Sequence, residues 1–371
     1  MANSEQPTLT SLSTKIAELS GTLTKVYEEQ KIPPVSFAAG SPSIYEYLTP
    51  EMFMVRQNLL DALTDMSYLA QGPGDSIFNY VHTAIPDASA LNTLNAFDFW
   101  STVPLDGTAS YEVISAHVSL PRDVVYRLLP LAKSAGLKAL VSAILDDAGA
   151  PVMVLNEDLR WYKVGKCELV QDTDKTSFAL FHAGGQFGSF RNTWELLEND
   201  GEGERNGWRQ RKFVEFMEYL KDLFRPKGVV LNYSGWPPEG KVTVVDAKLV
   251  LRPSATYPSE LTGRFRFVEH SFFDPQPIGA DIYLLKMSLH DWLDAECIQI
   301  LRNLVPVLKP SAKVLLIEYI GGAGDEKSDQ SADSPRSLKQ YGIATDVWLM
   351  AISNGKERPS HAWKAIFAAA D

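Results

Sequence analysis

A chain of 371 residues, 45% of them hydrophobic, carries enough apolar side chain for a large core and leads us to expect two domains. Its net charge of −11 argues against a nucleic-acid backbone as partner. Two cysteines, Cys167 and Cys297, make no disulfide framework and fit a reducing, cytoplasmic setting.

The first segment, Thr8–Gln30, places Leu9, Leu12, Ile16, Leu19, Leu23 and Val26 at helical spacing, and Pro33 and Pro34 end the run. Pro42–Gln71 repeats the pattern with Tyr45, Leu48, Met52, Val55, Leu59, Leu60 and Leu63. Two such helices have more apolar face than a small core covers, so we expect a homodimer. No apolar run approaches the about 18 residues of a membrane span, and no secretory signal opens the chain.

Ala96–Leu140 has the order of a winged helix: helix, turn, a short helix around Tyr111–His117, then a helix starting near Pro121 with Ser119 as its cap and Gly136 as its stop. The helix that would read DNA offers only Arg122, Arg127 and Lys133, so DNA binding is not expected. Leu155–Gly188 reads as a wing strand plus a connecting helix. Phe190–Phe224 reads as helical, and its aromatic residues, Trp194, Trp208, Phe213 and Phe216 among them, suit either a core or the wall of an apolar pocket.

From Lys241 the period becomes that of strands: KVTVVDAKLVL, RFRFVEH, DIYLLKMSL and AKVLLIEYI. They alternate with the helix Asp294–Leu308, which predicts a parallel α/β sheet with active residues at the carboxyl ends of its strands. Gly321–Arg336 is a polar Gly- and Ser-rich loop, and Thr345–Asn354 is helical. The histidines His82, His117 and His361 show no metal spacing with a carboxylate or cysteine, so no metal is expected.

The stretches FFDPQP (272–277), LHDW (289–292), VLKPSAKVLLIE (307–318) and NGKER (354–358), in this order and spacing, resemble the small-molecule O-methyltransferases of plants and fungi. The resemblance implies an α/β fold with a helical N-terminal part: a winged-helix-like dimerisation domain over 1–155, connecting helices lining a substrate pocket over 156–225, and a reduced Rossmann-like methyltransferase domain over 226–371. It also implies a base, His290, oriented by the acids Glu318 and Glu357. An imidazole that takes a hydroxyl proton must be held in one tautomer and stabilised when charged.

The family's methyl-donor half is where this chain departs. Val244, Val245 and Asp246 should run into a Gly-rich turn that lets backbone approach S-adenosylmethionine (SAM) closely. No glycine occurs between Gly240 and Gly263, and 17 residues separate Asp246 from Arg264. A loop, helix, second strand and ribose-binding acid take roughly 30 residues or more. His270 is followed by Ser271 where the family carries a carboxylate. We therefore expect no cofactor.

Acid–base groups without a methyl donor resemble the methyltransferase-like cyclases and pericyclases of fungal natural-product pathways. The expected function is thus SAM-independent dehydration and stereoselective cyclisation of a polyketide- or pyridone-type small molecule. The alternatives are an O-methyltransferase acting on a phenol and a non-catalytic relative. Lys286, at the end of the strand DIYLLK, could polarise a substrate carbonyl. His182, Trp194, Phe216 and Met287 are the candidate substrate contacts, and Asp291 reads as a structural partner.

Overall fold

Thr8 and Ser11 set the start of the first helix by satisfying each other's backbone. Thr8 Oγ1 accepts from Ser11 N (3.1 Å) and Ser11 Oγ accepts from Thr8 N (2.9 Å), a reciprocal cap. Helix α1 then runs Leu9–Gln30 and closes on Lys31 in the left-handed conformation (φ 55°), ahead of the expected proline stop. The computed structural model describes residues 6–33, 35–36, 41, 49–104, 107–129, 141–166, 170–199, 201–223, 242–246, 265–320 and 335–371. These fall into two compact units, one within 1–149, 215–229 and 334–338, the other within 150–214, 230–333 and 339–371.

In the first unit, α2 (Pro50–Gln71) begins with proline at its first turn, and Thr49 Oγ1 accepts from Met52 N at 3.3 Å. It packs on α1 through Leu23 and Met52, backed by Val26, Tyr27, Val55 and Leu59. Gly72, at φ 77°, turns the chain into α3 (Pro73–Ala96), a helix that the sequence reading left unassigned. Helices α4 (Tyr111–Val118) and α5 (Arg122–Leu128) close a small core of Leu94, Phe99, Ile114, Val118 and Val125. Ser119 is not the cap of α5. It ends α4 in the left-handed conformation (φ 54°), and Pro121 opens α5 without a side-chain cap. Lys133 and Gly136 lie outside the described residues. Arg336 and Ser337 tie onto α2: Arg336 Nη1 donates to Asp65 Oδ1 (2.6 Å) and Ser337 Oγ donates to Gln57 Oε1 (2.8 Å).

In the second unit, the described residues of 155–188 hold no strand. Helical turns cover Leu155–Lys163, and α6 follows at Ser177–His182. The reason is polar satisfaction. Asp158 is fully buried and accepts from Lys163 Nζ (3.0 Å) and Ser177 Oγ (2.9 Å), which binds the turns to the start of α6. Next come α7 (Thr193–Asn199) and α8 (Trp208–Leu223), of which 208–214 belong to this unit.

Strands β1 (Val242–Asp246) and β2 (Phe265–Glu269) pair in parallel, with Asp246 the Cα partner of Glu269 at their carboxyl ends. Strands β3 (Ile282–Lys286) and β4 (Lys313–Ile317) form a second parallel pair, joined by a crossover that includes α9 (Asp294–Arg302). Helices α10 (Arg336–Ile352) and α11 (Ser360–Ala370) complete the chain. The core of this unit joins α9 to α11 through Cys297, Ile300, Leu301, Trp363 and Ile366. Fully burying Ile300 contributes about 1.5–3 kcal/mol. Burial pushes the Cys297 thiol up to about 11, so it packs as a small hydrophobe, while Cys167 lies outside the described residues. No described helix is long and apolar enough to cross a membrane.

Candidate functional site

At the carboxyl end of β3 the chain turns sharply. Met287 takes φ 48° and donates its N–H to Ile317 O at 2.8 Å. Residues Leu289–Asp291 then form one tight helical turn that carries His290, whose side chain is 9% exposed. Glu318, just past β4, holds the start of the turn: its Oε1 accepts from Ser288 N (3.0 Å) and Leu289 N (2.8 Å).

The segment 353–359, which links α10 to α11, supplies the rest. Gly355 lies so close to the His290 carbonyl that a Cβ there would collide with it, and Lys356 N donates to the same oxygen at 3.0 Å. Glu357 Oε1 accepts from His290 Nδ1 at 2.9 Å, and Glu357 N donates in turn to Asp346 Oδ1 at 2.7 Å. Glu318 Oε2 stands 3.7 Å from His290 Nδ1, and Asp291 Oδ1 stands 3.7 Å from Nε2. Among the described residues, Glu318 Oε2 and Glu357 Oε2 are buried without a hydrogen-bond partner, so their charge acts chiefly on the ring.

The electrostatics follow from this packing. Burial opposes charge on His290, but the Glu357 hydrogen bond and the fields of Asp291, Glu318 and Glu357 outweigh it and raise the imidazole from 6.5 to about 9. Burial raises Asp291 to about 6 despite the neighbouring imidazole, and it also raises Glu318. Ligand-type atoms of His290, Glu318 and Glu357 lie within 4.8 Å of one another. The 2.9 Å contact from Nδ1 to Glu357 is a charge-assisted hydrogen-bond distance, and we read the cluster as a proton site.

The structure thus brings His290, Glu318 and Glu357 together. Lys286 is exposed at the end of β3, and among the described residues no contact joins its ammonium to that trio. Met287 is 41% exposed beside it. Trp194 stacks on Trp292 of the same turn (5.1 Å, 8°), with Phe273 edge-on at 4.7 Å from Trp292. His182 is buried against Phe178, Phe181 and Phe190, and its Nδ1 donates to Gly188 O at 3.1 Å. Burial lowers its pKa. Phe216 falls in the first unit.

Sequence reasoning overlooked Arg358 and Asp294. Arg358 is 1% exposed and donates to Trp292 O (2.6 Å), Leu289 O (3.2 Å) and Asp294 Oδ1 (2.8 Å). Its one visible signal was its place in N-G-K-E-R, directly after Glu357.

Residues 210–371 match the O-methyltransferase domain family. The O-methyltransferase lcsG of Purpureocillium lilacinum is 31% identical, over 96% of this chain and 88% of that protein. LepI in complex with SAM has the same fold (TM-score 0.63, 18% identity, 96% of this chain and 93% of LepI), as does a structure described as a pericyclic reaction enzyme (0.62, 17%, 96% and 94%). The expectation of no cofactor is therefore corrected: the family is one of methyltransferases, and a structure of this fold holds SAM. That expectation rested on the glycine-free run after Asp246, and residues 247–264 lie outside those described. The flanking strands fit a nucleoside cofactor, since Asp246 and Glu269 pair at the carboxyl ends of parallel strands, where such ligands bind in α/β folds. With its identity to lcsG sustained along nearly its whole length, and an α/β methyltransferase-like fold to match, the chain belongs to the O-methyltransferase family.

Proposed function

We propose that this chain methylates a hydroxyl group of a small aromatic or polyketide-like molecule in fungal secondary metabolism, with His290 taking the hydroxyl proton and the methyl group coming from bound SAM. One observation carries the reading: the 2.9 Å contact of Nδ1 with Glu357, which fixes the ring so that Nε2, with Asp291 Oδ1 3.7 Å away, would be the nitrogen to meet the substrate. A base raised to about 9 is well matched to a phenol, whose ordinary value is about 10. The cofactor would lie at the carboxyl ends of β1 and β2, where Asp246 and Glu269 are Cα partners. Trp194 and Met287 would wall the substrate, together with the ring of His182, whose Nδ1 is already committed to Gly188.

The test is to incubate the protein with methyl-labelled SAM and a panel of phenols, and to count label in the organic extract. Transfer that disappears in His290→Ala supports the reading. No transfer to any phenol, with no SAM binding by calorimetry, sinks it.

A second reading is cyclisation with loss of water. It is favoured by the same raised pKa, because an imidazolium at neutral pH can protonate a departing hydroxyl. Lys286, at the carboxyl end of β3, would hold the substrate carbonyl, and the likeness to a pericyclic reaction enzyme agrees with this. The pH profile separates the two readings. A base gains activity as pH rises toward about 9, and an acid loses it there.

We propose too that 1–155 is a winged-helix-like dimerisation domain, that 156–225 lines the pocket, and that 226–371 carries the chemistry. The exposed apolar side chains of α3 support a homodimer: Ile77, Phe78 and Tyr80 are 67%, 63% and 74% exposed. Light scattering that returns the mass of a single chain would end the dimer reading.

A further inference from the structure

We infer that Arg358 and Asp294 form a positioning pair for His290, holding the turn that carries the imidazole against the Glu357 carboxylate. This rests on the proton role proposed for His290 and adds the device that sets its geometry.

The two carbonyls that Arg358 binds, Leu289 O and Trp292 O, flank His290 and Asp291. Glu318 binds the N–H groups of Ser288 and Leu289, at the start of the same turn. The turn is therefore gripped by its amide hydrogens from β4 and by its carbonyls from the 353–359 segment. The three bonds leave from three separate nitrogens of a rigid fork, Nε, Nη1 and Nη2, a spread that the single nitrogen of an ammonium does not have. Asp294 aims the fork: its Oδ1 accepts from Arg358 Nε at 2.8 Å and its Oδ2 from Lys356 Nζ at 2.8 Å. The Trp363 ring backs the guanidinium, 4.9 Å from its centroid.

Chain order makes the device more than packing. Glu357 and Arg358 are neighbours in the segment between α10 and α11. One backbone segment thus presents the acid that bonds the ring and the fork that holds the ring's own turn. A loosened fork lets His290 drift from Glu357, and the proton affinity of the ring falls with the lost contact. The charged and titratable groups facing the ring are Asp291, Glu318 and Glu357, and all three stay in place in the variants below.

The experiment follows the histidine ring resonances of the full chain by NMR across a pH titration, with His290→Ala identifying the His290 signal. Arg358→Lys and Asp294→Asn are compared with the parent, alongside thermal melts. The expected result is a His290 midpoint that moves down toward 6.5 by ~1 unit in both variants, with the double variant no further than the larger single shift. Should Arg358→Lys fail to fold, Asp294→Asn carries the test, because the Asp294 side chain is 42% exposed. Lower melting temperatures with an unmoved midpoint make the pair merely structural and overturn the inference. A parent His290 that titrates near 6.5 instead undoes the proton reading of the site itself, so the two failures are distinguishable.

Discussion

His182 and His290 are both buried, yet their surroundings drive the two rings in opposite directions. Aromatic rings enclose His182, with centroids at 4.5 Å (Phe178), 5.2 Å (Phe181) and 5.4 Å (Phe190), and its polar partners are backbone groups, Gly188 O among them at 3.1 Å. Burial then prevails and lowers the proton affinity of the ring. Three carboxylates surround His290, and they outweigh the same burial cost. Burial sets how much a charge costs, and the neighbours decide whether that cost is met. The surroundings of one ring disfavour its charged form, while those of the other favour it.

The most direct way to break this contrast is to remove the charged ring. His290→Ala is expected to lower kcat/KM by roughly 10²–10⁴-fold while circular dichroism stays that of the parent. Activity within a few-fold of the parent would end the role of His290. Glu357→Gln keeps the shape and deletes the charge. The lost charge-assisted bond should lower kcat/KM about 10- to 100-fold and bring the His290 titration down toward 6.5.

Stability against pH sharpens the same comparison. The folded value of His290 lies above its ordinary 6.5, so its contribution is full below 6.5 and is lost as pH rises through about 9. For His182 the folded value is lowered. Its contribution is present above 6.5 and is lost as pH falls below that. Urea unfolding across this range should show the alkaline loss disappear in His290→Gln and the acid loss disappear in His182→Phe.

Smaller effects follow away from the carboxylates. His182→Ala should cost about 1–3 kcal/mol in urea unfolding by leaving the Gly188 carbonyl unpaired, with kcat little changed and any loss appearing in KM. Lys286→Met should leave turnover within a few-fold if the reaction is methyl transfer. A loss of roughly 100-fold would favour cyclisation, where the ammonium binds the developing charge.

The motifs pointed to the family before any coordinates, and the resemblance they carry, through L-H-D-W, the strand ending in Glu318 and N-G-K-E-R, singled out His290, Glu318 and Glu357. Strand periodicity likewise marked the four strands found among the described residues, because a short apolar run between turn residues has few other uses. Local pattern served less well where long-range satisfaction ruled. Leu155–Lys163 is helical because buried Asp158 needs Lys163 and Ser177, a requirement no alternation displays. Glycine spacing was also a poor guide to the cofactor, since the carboxyl ends of paired strands, and not the loop alone, make such a site.

What the sequence determined by itself was the family, and through its motifs which residues to expect at the site, because chemical type and order along the chain are enough to recognise them. What only the tertiary structure decided was how His290 is held and charged. Arg358 reaches Leu289 O and Trp292 O across 69 and 66 positions of chain, and Glu357 reaches His290 across 67. Proton affinity depends on distances of a few ångströms between such remote groups, and those distances exist only once β3, β4 and the 353–359 segment have packed together.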